Sequence, residues 1–188
     1  MLKAQMARNF DMKDLGVAKQ ILGIEIHRNK RNGKLSFSHE KYVEKILVRF
    51  EMNKENPMNV HLAFHFNIFS GLCPSSVEKI DYMAHIPYVN TIGCLMYAMV
   101  CTRPDISHAI GVVSNYMENP GNEHWNVVKW VLRYLRGTSD YCITFNRTND
   151  SIYGFVDSDF VAILDKRRST LVYVFTLAGG AISWISKL

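Results

Sequence analysis

The chain has 188 residues, 48% hydrophobic and 21% charged, with a formal net charge of +5. That is the make-up of one globular domain or two small ones and not of a disordered segment, and a modest basic excess suits a polyanionic partner without demanding one. No apolar run approaches the ~18 residues of a membrane span, and the four cysteines (Cys73, Cys94, Cys101, Cys142) contain no CxxC pair, which argues against a zinc ribbon and for reduced thiols.

The opening stretch "MLKAQMARNFDMKDLG" carries no targeting pattern. "ILGIEIHRNKRNGKLSFSHEKY" then reads as a β-hairpin. Leu22, Ile24 and Ile26 alternate with Gly23, Glu25 and His27, Asn32-Gly33 supplies the positive φ angles of a tight turn, and Leu35 and Phe37 alternate on the return. Its tip gathers Arg28, Lys30, Arg31 and Lys34, either a solvated turn or a set of phosphate contacts. Ser38 is placed to cap the next helix. There Tyr42, Val43, Ile46, Leu47 and Phe50 recur at helical spacing.

Residues 53–80 are weakly patterned and read as a long connection. His61 and His65 stand at i, i+4 within it, but no acid lies between them and no third ligand is evident, which weighs against a metal site. Three helices are predicted next. Pro87 suits a first turn, and Tyr88, Ile92, Leu95, Met96 and Met99 form an apolar stripe. Pro104 in "TRPD" ends that helix, because it restricts Arg103 and lacks an N–H. Ile106, Ala109, Ile110, Val113, Tyr116 and Met117 form a second stripe, and Pro120-Gly121 makes a turn.

The third helix, "EHWNVVKWVLRYLRG", sets Val128, Val131, Leu132 and Leu135 on one face and Lys129, Arg133 and Arg136 on its neighbour, with Gly137 as the stop. Such a basic face is either solvated or laid along a nucleic-acid backbone. From residue 140 the period becomes two. "YCITFN", "SIYGFVDSD", "STLVYVFTL" and "AISWISK" read as successive strands, with turns at Asn149-Asp150 and Gly179-Gly180 and a domain boundary near 138–150. Asp157 and Asp159 leave one strand on one face, as a divalent-cation site or as a solvated strand end. Only Asp165 follows them as a further acid.

"LMYAMVCTRPDISHAIGVVSNYMENPGNEHWNVVKWVLRYLRGTSDY", followed by "GFVDSDF" and "DKRRST", resembles the Pol polyprotein of copia-type LTR retrotransposons, as does "MKDLGVAKQILGIEIHR". The likeness runs nearly unbroken from about residue 10 to 188, with several motifs in order. It implies an α+β fold with a primer-holding hairpin and thumb- and connection-like helices over 1–137, the C-terminal part of a reverse transcriptase. An incomplete ribonuclease H-like antiparallel meander is implied over 138–188. Asp157 then matches the first Mg2+-binding catalytic acid of the ribonuclease H domain. Gly23, Arg28, Lys30, Arg31, Lys129, Arg133 and Arg136 are the implied nucleic-acid contacts.

The implied partners are RNA/DNA hybrid or duplex nucleic acid and the remainder of the polyprotein, with no membrane involved. The implied setting is the cytoplasm, in virus-like particles, and the nucleus. The chain holds no Asp-Asp dipeptide of the polymerase type, so the piece alone is expected to be inactive. Alternatives are a non-catalytic basic binding module and a pseudogene product without activity. "DFVAI" departs from the family pattern at Ala162 and Ile163, Cys94 stands where Ser is usual and His39 where Gln is usual. Leu171-Val172 replaces a glycine-containing pair, which predicts strain at Val172. A meander without a covering helix predicts that Phe155, Tyr173, Phe175 and Trp184 stay partly exposed and that residues 140–188 dock loosely.

Overall fold

Helical stripes make the core. The computed structural model describes residues 2–11, 16–62, 66, 68–147, 151–159 and 170–187. Four helices, α2 (Glu40–Arg49), α4 (Tyr88–Cys101), α5 (Ser107–Ser114) and α6 (Asn122–Gly137), pack together, with α1 (Leu2–Asn9) and α3 (Val77–Ala84) outside them. Ile92, Leu95, Ile106, Ala109, Val113, Val131, Leu132 and Leu135 are fully buried, and each large one is worth about 1.5–3 kcal/mol on removal from water. The predicted stripes of α2, α4, α5 and α6 are the faces that meet, so their spacing was a true guide.

Helix ends differ in detail from the sequence reading. The N-cap of α2 is His39, not Ser38, although Ser38 Oγ accepts the Glu40 N–H at 3.3 Å. Pro87 takes the N-cap of α4 rather than its first turn. The α6 helix runs through Gly137 to a C-cap at Thr138. Gly137 is needed instead because a Cβ there would lie 3.1 Å from both the Met58 carbonyl oxygen and Pro57. Helix α3 starts inside the predicted connection and runs past its end at residue 80. It buries only Met83, so it leaves almost no apolar period to read.

Two antiparallel sheets flank the helices. The first has the order β1 (Gln20–Ile21), β2 (Ile24–Asn29), β3 (Lys34–Ser38), β4 (Cys142–Asn146). The predicted hairpin is β2–β3, with Ile26 opposite Phe37 and Asn29 opposite Lys34. Its turn is a four-residue loop with only Gly33 at positive φ, braced by the Asn32 N–H donating to Asn29 Oδ1 at 3.2 Å. The tight turn lies earlier. Leu22 (φ 51) and Gly23 (φ 80) reverse the chain between β1 and β2, so Leu22 is not the strand residue its alternation suggested.

Strand β4 pairs with β3 across the whole helical region, Phe37 opposite Ile143. It therefore leaves the predicted four-strand meander. The second sheet keeps the other three in meander order: β5 (Ile152–Asp159), β6 (Thr170–Leu177), β7 (Gly180–Lys187). Its β6–β7 turn is Ala178-Gly179, both at positive φ, one residue before the predicted pair. Val172 lies in regular pairing opposite Asp157 and Ser186 and is not at positive φ, so the strain expected there is absent. Ala162, Ile163, Asp165, His65 and the Asn149-Asp150 turn lie outside the described residues. All four cysteines are free thiols, and no single described helix is long and apolar enough to cross a membrane.

The "TRPD" break holds an ion pair whose arginine is buried and whose aspartate is half-buried. Arg103, 1% exposed, donates from Nε to Asp105 Oδ1 at 3.0 Å and from Nη2 to Oδ2 at 2.7 Å. The same guanidinium donates to the Thr138 carbonyl at 2.9 Å and to Thr138 Oγ1 at 2.6 Å. Tyr134 Oη donates to Asp105 Oδ2 at 2.8 Å. One side chain thus ties the end of α4 to the end of α6 and the start of β4.

Candidate nucleic-acid interface

Sheet register decides what the first sheet presents. Residues opposite each other share a face, so Ile24, Ile26, Arg28, Leu35, Phe37, Ile143 and Phe145 lie on one face, with Arg28 at its end. The other face carries Gln20, Glu25, His27, Lys34, Ser36 and Thr144. On that polar face Ser36 and Thr144 hydroxyls are 3.0 Å apart. An open groove of about 850 Å³ runs along it. Lys19, Lys30, Lys34 and Lys41 line the groove together with His27, and Arg28 joins them from the face of Leu35; among its described lining residues the single acid is Glu25.

Glu25 is paired with Lys41, and the His27 ring lies 3.7 Å from its carboxylate. The hydrogen bond from Lys41, with its charge and that of His27, holds the Glu25 carboxyl below its usual range. The same bond raises the Lys41 ammonium. The one acid among the described lining residues is thus paired, and the charges left over there are cations. Of the predicted hairpin contacts, Arg28 and Lys30 line it, with Arg28 Nη1 donating to the Ala18 carbonyl. Arg31 is exposed at the tip outside it, and Gly23 forms the β1–β2 turn. Lys19 and Lys41 were not legible as contacts, because only the β1–β2 pairing and the Glu25 ion pair bring them to this face.

Gly23 is fixed twice over. Its φ is 80°, and a Cβ there would sit 3.3 Å from His39 Nε2. Gly23→Ala should therefore cost about 1–2 kcal/mol, seen as a lower urea midpoint at unchanged slope. A wild-type midpoint would mean that the turn is not strained by a side chain.

The α6 cations stand elsewhere, and none of them lines the groove. Lys129, Arg133 and Arg136 are half-buried. Arg133 donates from Nε to the Asn56 carbonyl at 2.7 Å and lies over the Trp130 ring at 5.7 Å. Trp130 Nε1 donates to the Val60 carbonyl at 2.8 Å, and the Met58 N–H to the Arg133 carbonyl at 3.2 Å. The connection therefore straps across this part of α6 and occupies one arm of Arg133.

Asp157 lies in β5 opposite Val172 and is exposed. No group of three His, Cys, Asp or Glu gathers among the described residues. A divalent cation takes several oxygen ligands, so Asp157 with its described neighbours does not fit a Mg2+ site. His61, half of the i, i+4 pair, lies outside any helix with its ring edge-on to Tyr134 at 5.8 Å.

Residues 1–63 match the family model described as reverse transcriptase (RNA-dependent DNA polymerase). Over 187 residues the chain is 51% identical to the retrovirus-related Pol polyprotein from transposon TNT 1-94 of Nicotiana tabacum, covering 100% of this chain and 14% of that one. It is 32% identical over 186 residues to the Pol polyprotein from transposon RE2 of Arabidopsis thaliana, covering 97% of this chain and 12% of that one. An uncharacterised mitochondrial protein of Arabidopsis thaliana is 33% identical over 188 residues, which is all of this chain and 74% of that protein. No solved structure matches. The chain belongs to the copia-type retrotransposon Pol polyprotein family, and it spans about 14% of the tobacco polyprotein's length.

Proposed function

We propose that this chain is the stretch of a reverse transcriptase–ribonuclease H polyprotein that follows the polymerase centre, and that its own work is to hold the backbone of duplex nucleic acid, RNA/DNA hybrid included. The observation that carries this reading is the row of cations along the groove of the first sheet, whose one acid among the described residues is already paired. Residues 1–137 then descend from the reverse transcriptase and 138–188 from the start of a ribonuclease H-like domain, with β4 as the strand that joins the second part to the first sheet. Lys19, Arg28, Lys30, Arg31, Lys34 and Lys41 take phosphates, Gly23 shapes the turn beside them, and Lys129, Arg133 and Arg136 give a secondary contact. The rest of the polyprotein is the partner, in cytoplasmic virus-like particles and in the nucleus, away from membranes.

Alone, the chain catalyses neither RNA-directed DNA synthesis nor hybrid cleavage in this reading. Asp157 is a remnant acid whose Mg2+ needs carboxylates from elsewhere in the polyprotein. Primer-extension and hybrid-cleavage assays test this, and turnover above an Asp157→Asn control would sink the claim for the ribonuclease part. Binding is tested by filter titration of an RNA/DNA hybrid across a salt series. Each cation lost should flatten the log–log salt slope by about 0.9, so Lys19, Lys30 and Lys34 together changed to Ala should flatten it by about 3, alike for all sequences. An unchanged slope would make the groove a merely solvated surface.

A further inference from the structure

We propose that His39 is a pH-operated latch on the β1–β2 turn: neutral, its ring seats Leu22-Gly23, and protonated, it leaves its slot and frees the turn. His39 is 1% exposed, and neither ring nitrogen has a hydrogen-bond partner among the described residues. The ring stacks on Tyr42 with centroids 4.5 Å apart and planes 14° apart, and Tyr97 tilts against it at 5.5 Å. Nε2 looks onto Gly23, where even a Cβ would come within 3.3 Å. Above it Leu22 holds a positive φ of 51° that a branched side chain disfavours, with its carbonyl accepting from Tyr97 Oη at 2.6 Å. The turn thus rests on the imidazole and is ready to relax when the support goes.

A neutral imidazole leaves one N–H without an acceptor here, and a protonated one leaves two and a charge. The faces of Tyr42 and Tyr97 attract a cation but give it no acceptor, and burial holds the ring below its usual range. No neighbour among the described residues offers compensation. Tyr42 Oη is spent on the Cys94 carbonyl, and Tyr97 Oη on Leu22 and the Cys101 thiol. On α4 there is no charged side chain. On α2, Glu40 and Glu44 are exposed, Lys45 and Arg49 have the wrong sign, and Lys41 is bound to Glu25 of β2, beside His27. The lowered group makes the sign plain: the seated turn is favoured above the free imidazole range near pH 6.5 and loses ground as pH falls below it. Opening would also unseat Val17, Lys19 and Gln20, one wall of the basic groove.

The amide of Ile26, which donates to the Lys19 carbonyl at 2.8 Å, reports the latch. Hydrogen exchange followed by NMR on the 188-residue chain should give a constant protection factor above about pH 6.5, then a loss of up to tenfold per pH unit below it. Amides of α6 should hold steady, the His39 ring signal should titrate at the lower end of that interval, where the opened turn becomes the main form, and His39→Gln should make the Ile26 profile flat. A flat wild-type profile, an equal loss in α6, or a pH dependence kept in His39→Gln would each overturn the latch. If that variant does not fold, the wild-type ring titration decides alone, since a ring that titrates without loss of Ile26 protection also overturns it.

Discussion

Arg103→Ala is expected to lower the stability of this chain by about 3–5 kcal/mol, among the largest effects of any single change outside the apolar core. The guanidinium is buried and makes a two-pronged bond to Asp105 and two bonds to Thr138. Thr138 caps α6, so its carbonyl belongs to the helix end whose acceptors have no partner in the helix, where a cation is favoured. Truncation leaves the Asp105 carboxylate with Tyr134 Oη and the Thr138 carbonyl with only the Tyr141 N–H at 3.1 Å. At roughly 2–4 °C per kcal/mol for a chain of this size, the melting temperature should fall by about 6–20 °C. Arg103→Lys should recover only a minor part, because an ammonium cannot span both Asp105 and Thr138. A loss under about 1 kcal/mol would show that the pair is replaceable.

Acid should reproduce part of that loss. Burial pushes the Asp105 carboxyl up, but the bonds and charge of Arg103 and the Tyr134 hydroxyl outweigh it and leave it below its usual range. Burial and the bond to Asp105 in turn push the Tyr134 phenol up to about 12. A depressed carboxyl stabilises the fold above the free Asp range near pH 4, and that share disappears as pH falls through its folded value. Asp105→Asn should therefore be less stable than wild type at neutral pH and flatter in its acid limb, which urea titrations at several pH values would show.

The helical core was legible because Ile92, Leu95, Val113, Val131 and Leu132 repeat at the helical period and are buried for that reason. The sheet partners were harder. Nothing local in "YCITFN" says that Ile143 sits opposite Phe37, since more than a hundred positions separate them; alternation reports a strand but not its neighbour. Leu22 misled for a related cause, because its place in the alternating pattern hid a turn that Tyr97 and His39 stabilise from distant elements. The groove was half legible. Arg28, Lys30, Arg31 and Lys34 cluster in sequence, whereas Lys19 and Lys41 reach it only through pairing and helix placement. On α6 the basic spacing was real, but the strap at 56–60 that engages Arg133 and Trp130 has no periodic signature.

Trp184→Ala is expected to undock the second sheet while leaving the helices folded. In β5 every residue from 152 to 158 is exposed, and Tyr153, Phe155 and Val156 stand at 50%, 61% and 69%. Strand β5 is also an edge, with one row of backbone groups unpaired in the sheet. What ties the sheet down is β7 and its turn. Trp184 is half-buried and donates from Nε1 to the Met99 carbonyl at 3.2 Å, and Ala178 accepts the Asn146 N–H at 2.8 Å. Tyr173 is half-buried and Phe175 is 39% exposed, in line with the loose docking predicted for the meander, but β4 with its buried Ile143 belongs to the first sheet and should not share it. A fully buried Trp is worth about 3–5 kcal/mol on truncation, and a half-buried one about half of that. Hydrogen exchange by mass spectrometry should find β5 and β6 faster than α4 and α6 in the wild type, and faster still in the variant with α6 unchanged. Protection of 152–159 equal to that of α6 in both proteins would mean that the sheet shares the helical core's full stability and that Trp184 is not its anchor.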